Sequence, residues 1–207
     1  MTLFRQLHDA GTSAFTYVLA DDEAGEAVAV DPQPEGTAPS LLGLVRELGL
    51  RLVYLLCTHG HPAAPGALGL VRERTGARIV AGEGAPLEAD LRVGDGARLA
   101  FGREEVRVLA TPGHTPACVS YLWRDRVFTG DALLIRGCGR TDLPGGDARL
   151  LFDSVTQRLL VLPGETLLFP GHATHHRTVS TIAEERDFNA CFAGRSRDEF
   201  ITQRSAS

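Results

Sequence analysis

The chain has 207 residues, of which 43% are hydrophobic and 23% charged, values typical of a folded domain rather than of a disordered or fibrous chain. Its net charge of −5 disfavours a broad basic surface for nucleic acid or anionic lipid. The four cysteines are widely spaced, and the start has no signal-peptide pattern. No apolar run reaches the ~20 residues of a membrane span. We therefore expect a cytoplasmic protein with reduced thiols, forming a single domain over residues 1–207.

Short strands and helices are predicted in alternation along the chain. The first half predicts strands and two helices, with helices at 38–48 and 66–75 and strands at 15–20, 27–31, 51–58, 78–81 and 97–101. The second half predicts a helix capped by Asp147, a C-terminal helix from about residue 179, and strands at 105–110, 119–123, 126–129 and 166–169. Two such halves indicate an α/β architecture of two packed sheets with helices outside.

Four of the apolar strands run into glycine-containing loops that carry a histidine or a carboxylate. These loops are Thr58-His59-Gly60-His61, Thr111-Pro112-Gly113-His114, Thr129-Gly130-Asp131 and Pro170-Gly171-His172. Loops at one edge of a sheet can converge, and imidazole and carboxylate groups are ligands for zinc and iron. A single histidine after a strand is usually a surface or hydrogen-bonded residue. The fourfold repetition of the pattern predicts a metal site instead.

In this order, the four motifs resemble those of the metallo-β-lactamase superfamily. A longer segment, residues 128–142 (FTGDALLIRGCGRTD), together with 178–186 (TVSTIAEER), resembles the persulfide dioxygenase branch, also called sulfur dioxygenase. The resemblance implies an αββα four-layer sandwich whose strand ends hold the metal. It also implies a cytosolic or mitochondrial role in sulfide oxidation.

The chain departs from the superfamily pattern at the second metal position. The superfamily motif THxHxDH has an aspartate and a histidine where this chain has Ala63 and Ala64. Alanine offers no lone pair, so a hydrolytic centre with two metal ions would lose two ligands. Hydrolysis of the β-lactamase or glyoxalase II type is therefore not expected.

The resemblance implies one Fe(II) ion per chain, bound by His59, His114 and Asp131. Two histidines and a carboxylate are the ligands of non-heme Fe(II) oxygenases, which keep coordination positions open for substrate and dioxygen. His61 and His172 are then expected to orient the ligands or a water molecule, or to be ordinary hydrogen-bonded loop histidines. Zinc is the alternative metal, because the same side chains bind both ions.

Substrate-binding residues are also implied by the resemblance. Arg140 and Asp142 match the branch's substrate pattern, and Arg177 is a further candidate for binding the carboxylates of glutathione persulfide. A structural ion pair between Arg140 and Asp142 is the alternative. The branch has a tyrosine, associated with holding glutathione, where this chain has Thr174, and it has an aspartate in place of Ala173. The thiol that carries the persulfide is therefore left open.

The leading hypothesis is an iron-dependent dioxygenase that uses O₂ to oxidise a persulfide, glutathione persulfide or a related one, to sulfite and thiol. One alternative is an iron oxygenase acting on another thiol or sulfur metabolite, motivated by Thr174. A second is a degenerate protein that binds a metal or a sulfur metabolite, motivated by the alanines. A third is a mononuclear zinc hydrolase with His59, His61 and His114 as ligands. A homodimer is possible by resemblance alone.

Overall fold

In the computed structural model, which describes residues 2–32, 36–60, 66–174 and 177–205, the chain forms two six-stranded sheets flanked by helices. The first sheet contains β1 (Thr2–His8), β2 (Phe15–Asp21), β3 (Glu26–Val30), β4 (Arg51–Leu56), β5 (Arg78–Gly82) and β6 (Leu91–Val93), in this order. The second contains β7 (Arg98–Phe101), β8 (Glu104–Ala110), β9 (Val119–Trp123), β10 (Arg126–Gly130), β11 (Leu167–Pro170) and β12 (Ser180–Thr181), from one edge to the other.

The helices are α1 (Ala38–Glu47), α2 (Gly66–Thr75), α3 (Ala148–Ser154), α4 (Ile182–Phe188) and α5 (Arg197–Ser205). A π-helical turn, Val155–Leu159, continues α3. None of the helices in the described part of the chain is long and apolar enough to cross a membrane.

Three layers of buried side chains hold the two sheets and the helices together. The alternation along β2 shows how the strands contribute, because Phe15, Tyr17 and Leu19 point between the sheets while Val18 and Ala20 point towards α1 and α2. The outer face of the second sheet packs against α3 and the C-terminal helices. This arrangement confirms the predicted αββα four-layer sandwich.

Parallel pairing places the carboxyl ends of the key strands at one edge of the sandwich. β3 and β4 are parallel in the first sheet, as are β10 and β11 in the second. β8 runs in the same direction as β10, because each pairs antiparallel with β9. The two sheets are also tied together at this edge, where the Val119 amide donates to the Thr58 carbonyl oxygen at 2.8 Å. The metal-site motifs follow β4, β8, β10 and β11 and therefore meet here.

Most predicted elements are present, and the errors fall at the edges of the sheets. The Asp147 carboxylate caps α3 as predicted, accepting hydrogen bonds from two backbone amides of its first turn. The C-terminal helix expected from residue 179 was placed too early, because residues 180–181 form β12 and α4 begins at Ile182. The strands β1, β6 and β12 and the helix α5 were not predicted. Edge strands are short or half-exposed and lack the strong apolar patterns of central strands.

Candidate metal centre

His59 lies three residues beyond the end of β4 and is oriented by its neighbour Thr58. The His59 Nδ1 atom lies 2.9 Å from the Thr58 hydroxyl oxygen. That hydroxyl donates to the Asp31 carboxylate at 2.7 Å, so its oxygen accepts the proton of His59 Nδ1. A neutral imidazole protonated at Nδ1 carries its lone pair on Nε2. The contact therefore prepares Nε2 of His59 to bind a metal.

Asp31, which follows β3, anchors this arrangement from the core. Its carboxylate also accepts a hydrogen bond from the Thr58 backbone amide at 2.8 Å. Burial raises the pKa of Asp31 to about 6, even though both hydrogen bonds from Thr58 favour its charged form. Its backbone has a φ of 47°, a left-handed conformation that aspartate adopts more readily than most residues. The sequence analysis missed Asp31, although it too is a polar residue that follows an apolar strand.

His114 lies in the loop after β8 and is held by a backbone carbonyl. Its Nδ1 donates to the Arg140 carbonyl oxygen at 2.8 Å, which leaves the lone pair of the neutral ring on Nε2. Gly113 has a φ of 140°, and a Cβ at this position would lie 2.3 Å from the backbone of Leu151. Only glycine fits this close approach to α3, and it allows the loop to place His114 in the interior.

Asp131 follows the glycine that ends β10, where the second sheet lies against Thr58 of the first. Gly130 has a φ of 52°, and a Cβ there would lie 2.2 Å from the Thr58 hydroxyl oxygen. His172 Nδ1 donates to Oδ1 of Asp131 at 2.7 Å. The other carboxylate oxygen, Oδ2, lies 3.8 Å from His114 Nε2. One oxygen of Asp131 is therefore held by His172, while the other faces His114.

The ligand atoms of His59, His114 and Asp131 all lie within 4.8 Å of one another. It is the one such group of three metal-ligating residues among those that the structure describes. Ligand atoms that bind one ion at about 2.0–2.2 Å lie no more than about 4.4 Å apart, so small side-chain movements would bring these three atoms to bonding distance. Both imidazoles direct a lone pair into the group, and the carboxylate supplies a negative charge. These residues therefore fit a divalent metal ion of the iron or zinc type.

The ionisation of the group also favours metal binding. Burial lowers the pKa of His59, so the imidazole stays neutral and its lone pair is available. Burial alone would raise the pKa of Asp131, but the hydrogen bond from His172 and the nearby His59 outweigh it and bring the pKa to about 2. The same hydrogen bond raises the pKa of His172. The carboxylate is therefore charged at neutral pH without a bound metal.

The structure describes only some of the other residues that the sequence places near the metal. His172 donates a hydrogen bond to Asp131, a contact that fits both roles expected for it, so a role in orienting the ligand stays a prediction. His61, Ala63 and Ala64 lie outside the described residues, so the expected roles of His61, including its place in a three-histidine zinc site, stay predictions. The same holds for the loss of the second metal position.

The side chains of the predicted substrate-binding residues contact one another, the Glu184 carboxylate or the backbone. Arg140 and Asp142 form the two-hydrogen-bond ion pair that the sequence analysis gave as the alternative, with distances of 2.7 and 2.6 Å. Arg177 lies 3.5 Å from the Glu184 carboxylate. The Thr174 hydroxyl donates to the Ile135 carbonyl oxygen at 2.7 Å. A substrate role for Arg140, Asp142, Arg177 or Thr174 stays a prediction.

Comparisons with known proteins agree with this geometry. The chain matches the metallo-beta-lactamase superfamily over residues 62–172. It is 45% identical to the human protein "Persulfide dioxygenase ETHE1, mitochondrial" over 190 residues. The aligned region covers 90% of this chain and 74% of the human one. The crystal structure of ETHE1 from Myxococcus xanthus matches with a TM-score of 0.94 and 45% identity, over 98% of this chain and 90% of that chain. The B3 metallo-beta-lactamase BLEG-1 matches with a TM-score of 0.81 and 30% identity, over 93% and 100% of the two chains.

The four-layer sandwich with its ligands at one edge places the chain in the metallo-β-lactamase superfamily. Within that superfamily, the chain belongs to the persulfide dioxygenase family, as its identity to the human protein over nine-tenths of its length shows.

Proposed function

We propose that this chain is an iron-dependent persulfide dioxygenase that uses O₂ to oxidise a persulfide to sulfite and a thiol. The reaction consumes one persulfide, one dioxygen and one water and yields one thiol and one sulfite. The observation that carries the proposal is the cluster of His59, His114 and Asp131 in a chain of this family, with ligand atoms within 4.8 Å of one another. Two histidines and one carboxylate are the ligand set of non-heme Fe(II) oxygenases, and the oxygen-dependent chemistry of the family favours iron over zinc, which the same side chains also bind.

The protein's part in this reaction is to hold three ligands in one fixed arrangement. Thr58 and the Arg140 carbonyl select the tautomers of the two histidines, and His172 fixes the rotation of the Asp131 carboxylate. An Fe(II) ion bound there supplies a single centre for the persulfide sulfur and dioxygen. Because all three ligands come from buried strand ends, the geometry is set before the substrate arrives.

Arg140 is proposed to bind a carboxylate of the substrate at the edge of the site. Its guanidinium is 62% exposed and already bonded to Asp142, so a substrate carboxylate would replace or share an existing partner. The backbone of the same residue orients His114. Substrate binding at the Arg140 side chain is therefore linked directly to the loop that positions a metal ligand.

A persulfide of another thiol is the second candidate substrate. Thr174 has no aromatic ring, and its hydroxyl is occupied by the Ile135 carbonyl oxygen. The contact that the resemblance assigns to a tyrosine is therefore not made by this side chain. This observation favours a substrate whose thiol carrier differs from glutathione.

Oxygen consumption by the iron-loaded protein tests both candidates. The protein is reconstituted anaerobically with Fe(II), with a zinc-loaded sample beside it, and glutathione persulfide, cysteine persulfide and coenzyme A persulfide are added in turn. We expect iron-dependent oxygen uptake with one sulfite formed per dioxygen. Preference for a persulfide other than that of glutathione would support the second candidate. Retained iron with no uptake on any persulfide would refute the proposal.

Other properties of the protein stay proposals. We propose one domain over residues 1–207, supported by the core shared between the two sheets. We expect action in the cytoplasm on a small-molecule substrate, although the human relative is named as mitochondrial. The expectations of a homodimer and of no binding to nucleic acid stay predictions.

A further inference from the structure

A second sulfur-containing cluster lies outside the metal centre, formed by Cys138, Cys191 and Arg204. Nη2 of Arg204 donates to the sulfur of Cys138 at 2.6 Å and lies 3.3 Å from the sulfur of Cys191. Both sulfur atoms therefore lie within 3.3 Å of one guanidinium nitrogen. Two thiols that share one guanidinium form a dithiol cluster rather than two separate cysteines.

The cluster joins three parts of the fold that are distant in the sequence. Cys138 lies in the loop between β10 and α3, Cys191 lies three residues after the end of α4, and Arg204 lies in the last turn of α5. Both thiols are partly buried against the helical face of the second sheet. Arg204 also lines a cleft of about 220 Å³ together with Arg140, Thr141 and Asp142. The dithiol therefore lies beside the cleft that contains the proposed substrate-binding arginine.

The two thiols are chemically different. The neighbouring Cys138 thiol and the positive charge of Arg204 lower the pKa of Cys191. The neighbouring Cys191 and burial raise the pKa of Cys138. A thiolate is the nucleophilic form of cysteine. Cys191 is therefore suited to attack, with Cys138 as a protonated neighbour within reach of the product.

The remaining cysteines have no such environment. Cys57 and Cys118 are buried, and burial raises the pKa of each thiol, that of Cys118 to about 11. They stay protonated at neutral pH and shielded from solvent. They serve as internal controls for any chemistry assigned to Cys191.

We propose that Cys191 accepts sulfane sulfur from persulfides and polysulfides and that Cys138 then resolves the product. The Cys191 thiolate attacks the terminal sulfur of R–S–SH, the S–S bond of the substrate breaks, and RSH leaves with a new persulfide on Cys191. Cys138 next attacks the Cys191 sulfur, forming a disulfide and releasing the outer sulfur as HS⁻, while the Cys138 proton passes to solvent. The two thiols lose two electrons, and the sulfane sulfur gains them. The choice of ligand class rests on the proposed function, but the reaction requires neither iron nor dioxygen.

The test uses the iron-loaded protein under anaerobic conditions with inorganic polysulfide as the probe. Samples are quenched with iodoacetamide and digested with trypsin, which places Cys138 in the peptide 137–140 and Cys191 in the peptide 187–195. We expect the alkylated 187–195 peptide to gain the mass of one sulfur atom first. A disulfide-linked product of the two peptides should follow, while Cys57 and Cys118 stay unmodified.

Two serine variants separate the roles of the thiols. In Cys138→Ser, the persulfide on Cys191 should accumulate and no cross-linked peptide should form. In Cys191→Ser, Cys138 should gain no sulfur, and sulfite formation in air should continue at the wild-type rate. Arg204→Met should slow the modification of Cys191 at pH 6, where the thiolate fraction limits the rate.

The wild-type digest already decides the proposal, even if a variant does not fold. Equal labelling of Cys57, Cys118 and Cys191, or no labelling of Cys191, would overturn it. Sulfur gained first by Cys138 would overturn the assigned roles. Because labelling is measured without dioxygen and sulfite formation is measured with it, failure of one assay leaves the other result standing.

Discussion

The metal centre and the neighbouring cleft differ in what holds their side chains. In the metal centre, each of the three ligands is fixed by a partner at the strand ends: Thr58 for His59, a backbone carbonyl for His114, and His172 for Asp131. In the cleft, the charged groups of Arg140 and Asp142 are 62% and 55% exposed and bind each other.

This difference suggests separate roles for the two regions: the metal centre determines the reaction, and the cleft determines which substrate binds. Ligands fixed by the backbone and by buried hydrogen bonds cannot move without disturbing the sandwich. The fold therefore determines the arrangement of the metal ligands. Exposed side chains that pair in high dielectric contribute little to stability and can exchange partners. Changes in the metal centre should therefore abolish the reaction, whereas changes in the cleft should alter affinity and leave the fold intact.

Removal of the carboxylate ligand should have the largest effect. Asp131→Ala loses the only charged ligand of the cluster and also leaves His172 without its partner. We expect iron content to fall to background and sulfite formation to stop. Iron is measured by elemental analysis after desalting, and sulfite by its reaction with a thiol-reactive fluorophore.

Asp142→Ala is the matched control, because it removes an aspartate of the cleft rather than of the metal centre. It should keep stoichiometric iron. If Asp131→Ala retained stoichiometric iron and full activity, the ligand assignment would be wrong.

Replacement of Asp31, the buried carboxylate that accepts hydrogen bonds from Thr58, should have the next largest effect. In Asp31→Asn, one of the two carboxylate oxygens that accept from Thr58 becomes an amide donor. The Thr58 hydroxyl is then released to donate to His59 Nδ1, which would move the ring proton to Nε2, the nitrogen that faces the cluster. Loss of such an orienting partner typically weakens metal binding about 10- to 100-fold. Competition with a fluorescent chelator measures the change.

Variants of Thr58, which lies between Asp31 and His59, test the same pair of hydrogen bonds. Thr58→Val should reproduce the loss, whereas Thr58→Ser retains the hydroxyl and should bind iron as the wild-type protein does. Equal iron affinity in Thr58→Val and Thr58→Ser would mean that His59 does not depend on this hydrogen bond.

Truncation in the cleft should change substrate affinity alone. Arg140→Ala removes the guanidinium but keeps the backbone carbonyl that orients His114. We expect KM for a carboxylate-bearing persulfide to rise about tenfold, the value of one lost charge-assisted hydrogen bond, with kcat and iron content unchanged. The free energy of unfolding should change by less than about 1 kcal/mol, because the ion pair is exposed. A fall in kcat with constant KM would contradict a binding role for this side chain.

The sequence predicted that the side chains of the candidate metal centre lie together, because these residues follow strong local patterns. Central strands with buried faces have continuous apolar runs, and the polar residues that follow β4, β8, β10 and β11 stand out against them. Parallel strands bring these ends to one edge, so the repeated pattern indicated that the loops converge, while the choice of His59, His114 and Asp131 as ligands came from the resemblance to the persulfide dioxygenase branch.

Contacts between distant and weakly patterned segments could not be predicted in this way. Asp31 looks like the end of a strand, and its role arises only when β3 and β4 pair and Thr58 reaches its carboxylate. The dithiol depends on α5, a helix with few apolar residues that periodicity did not detect. The ion pair of Arg140 and Asp142 was one of two open interpretations, because spacing does not show whether two charged side chains face each other.

The smallest effect is expected at Thr174, where the resemblance implies a tyrosine. Thr174→Val keeps the shape of the side chain but removes the hydroxyl that donates to the Ile135 carbonyl oxygen. A hydrogen bond of this kind is worth about 1 kcal/mol, and chemical denaturation should show a loss of that size. KM should not change if the hydroxyl serves the backbone rather than the substrate. Thr174→Ser, which keeps the hydroxyl, is the control. A rise in KM confined to Thr174→Val would show that the Thr174 hydroxyl contacts the substrate, as is proposed for Arg140 in the cleft.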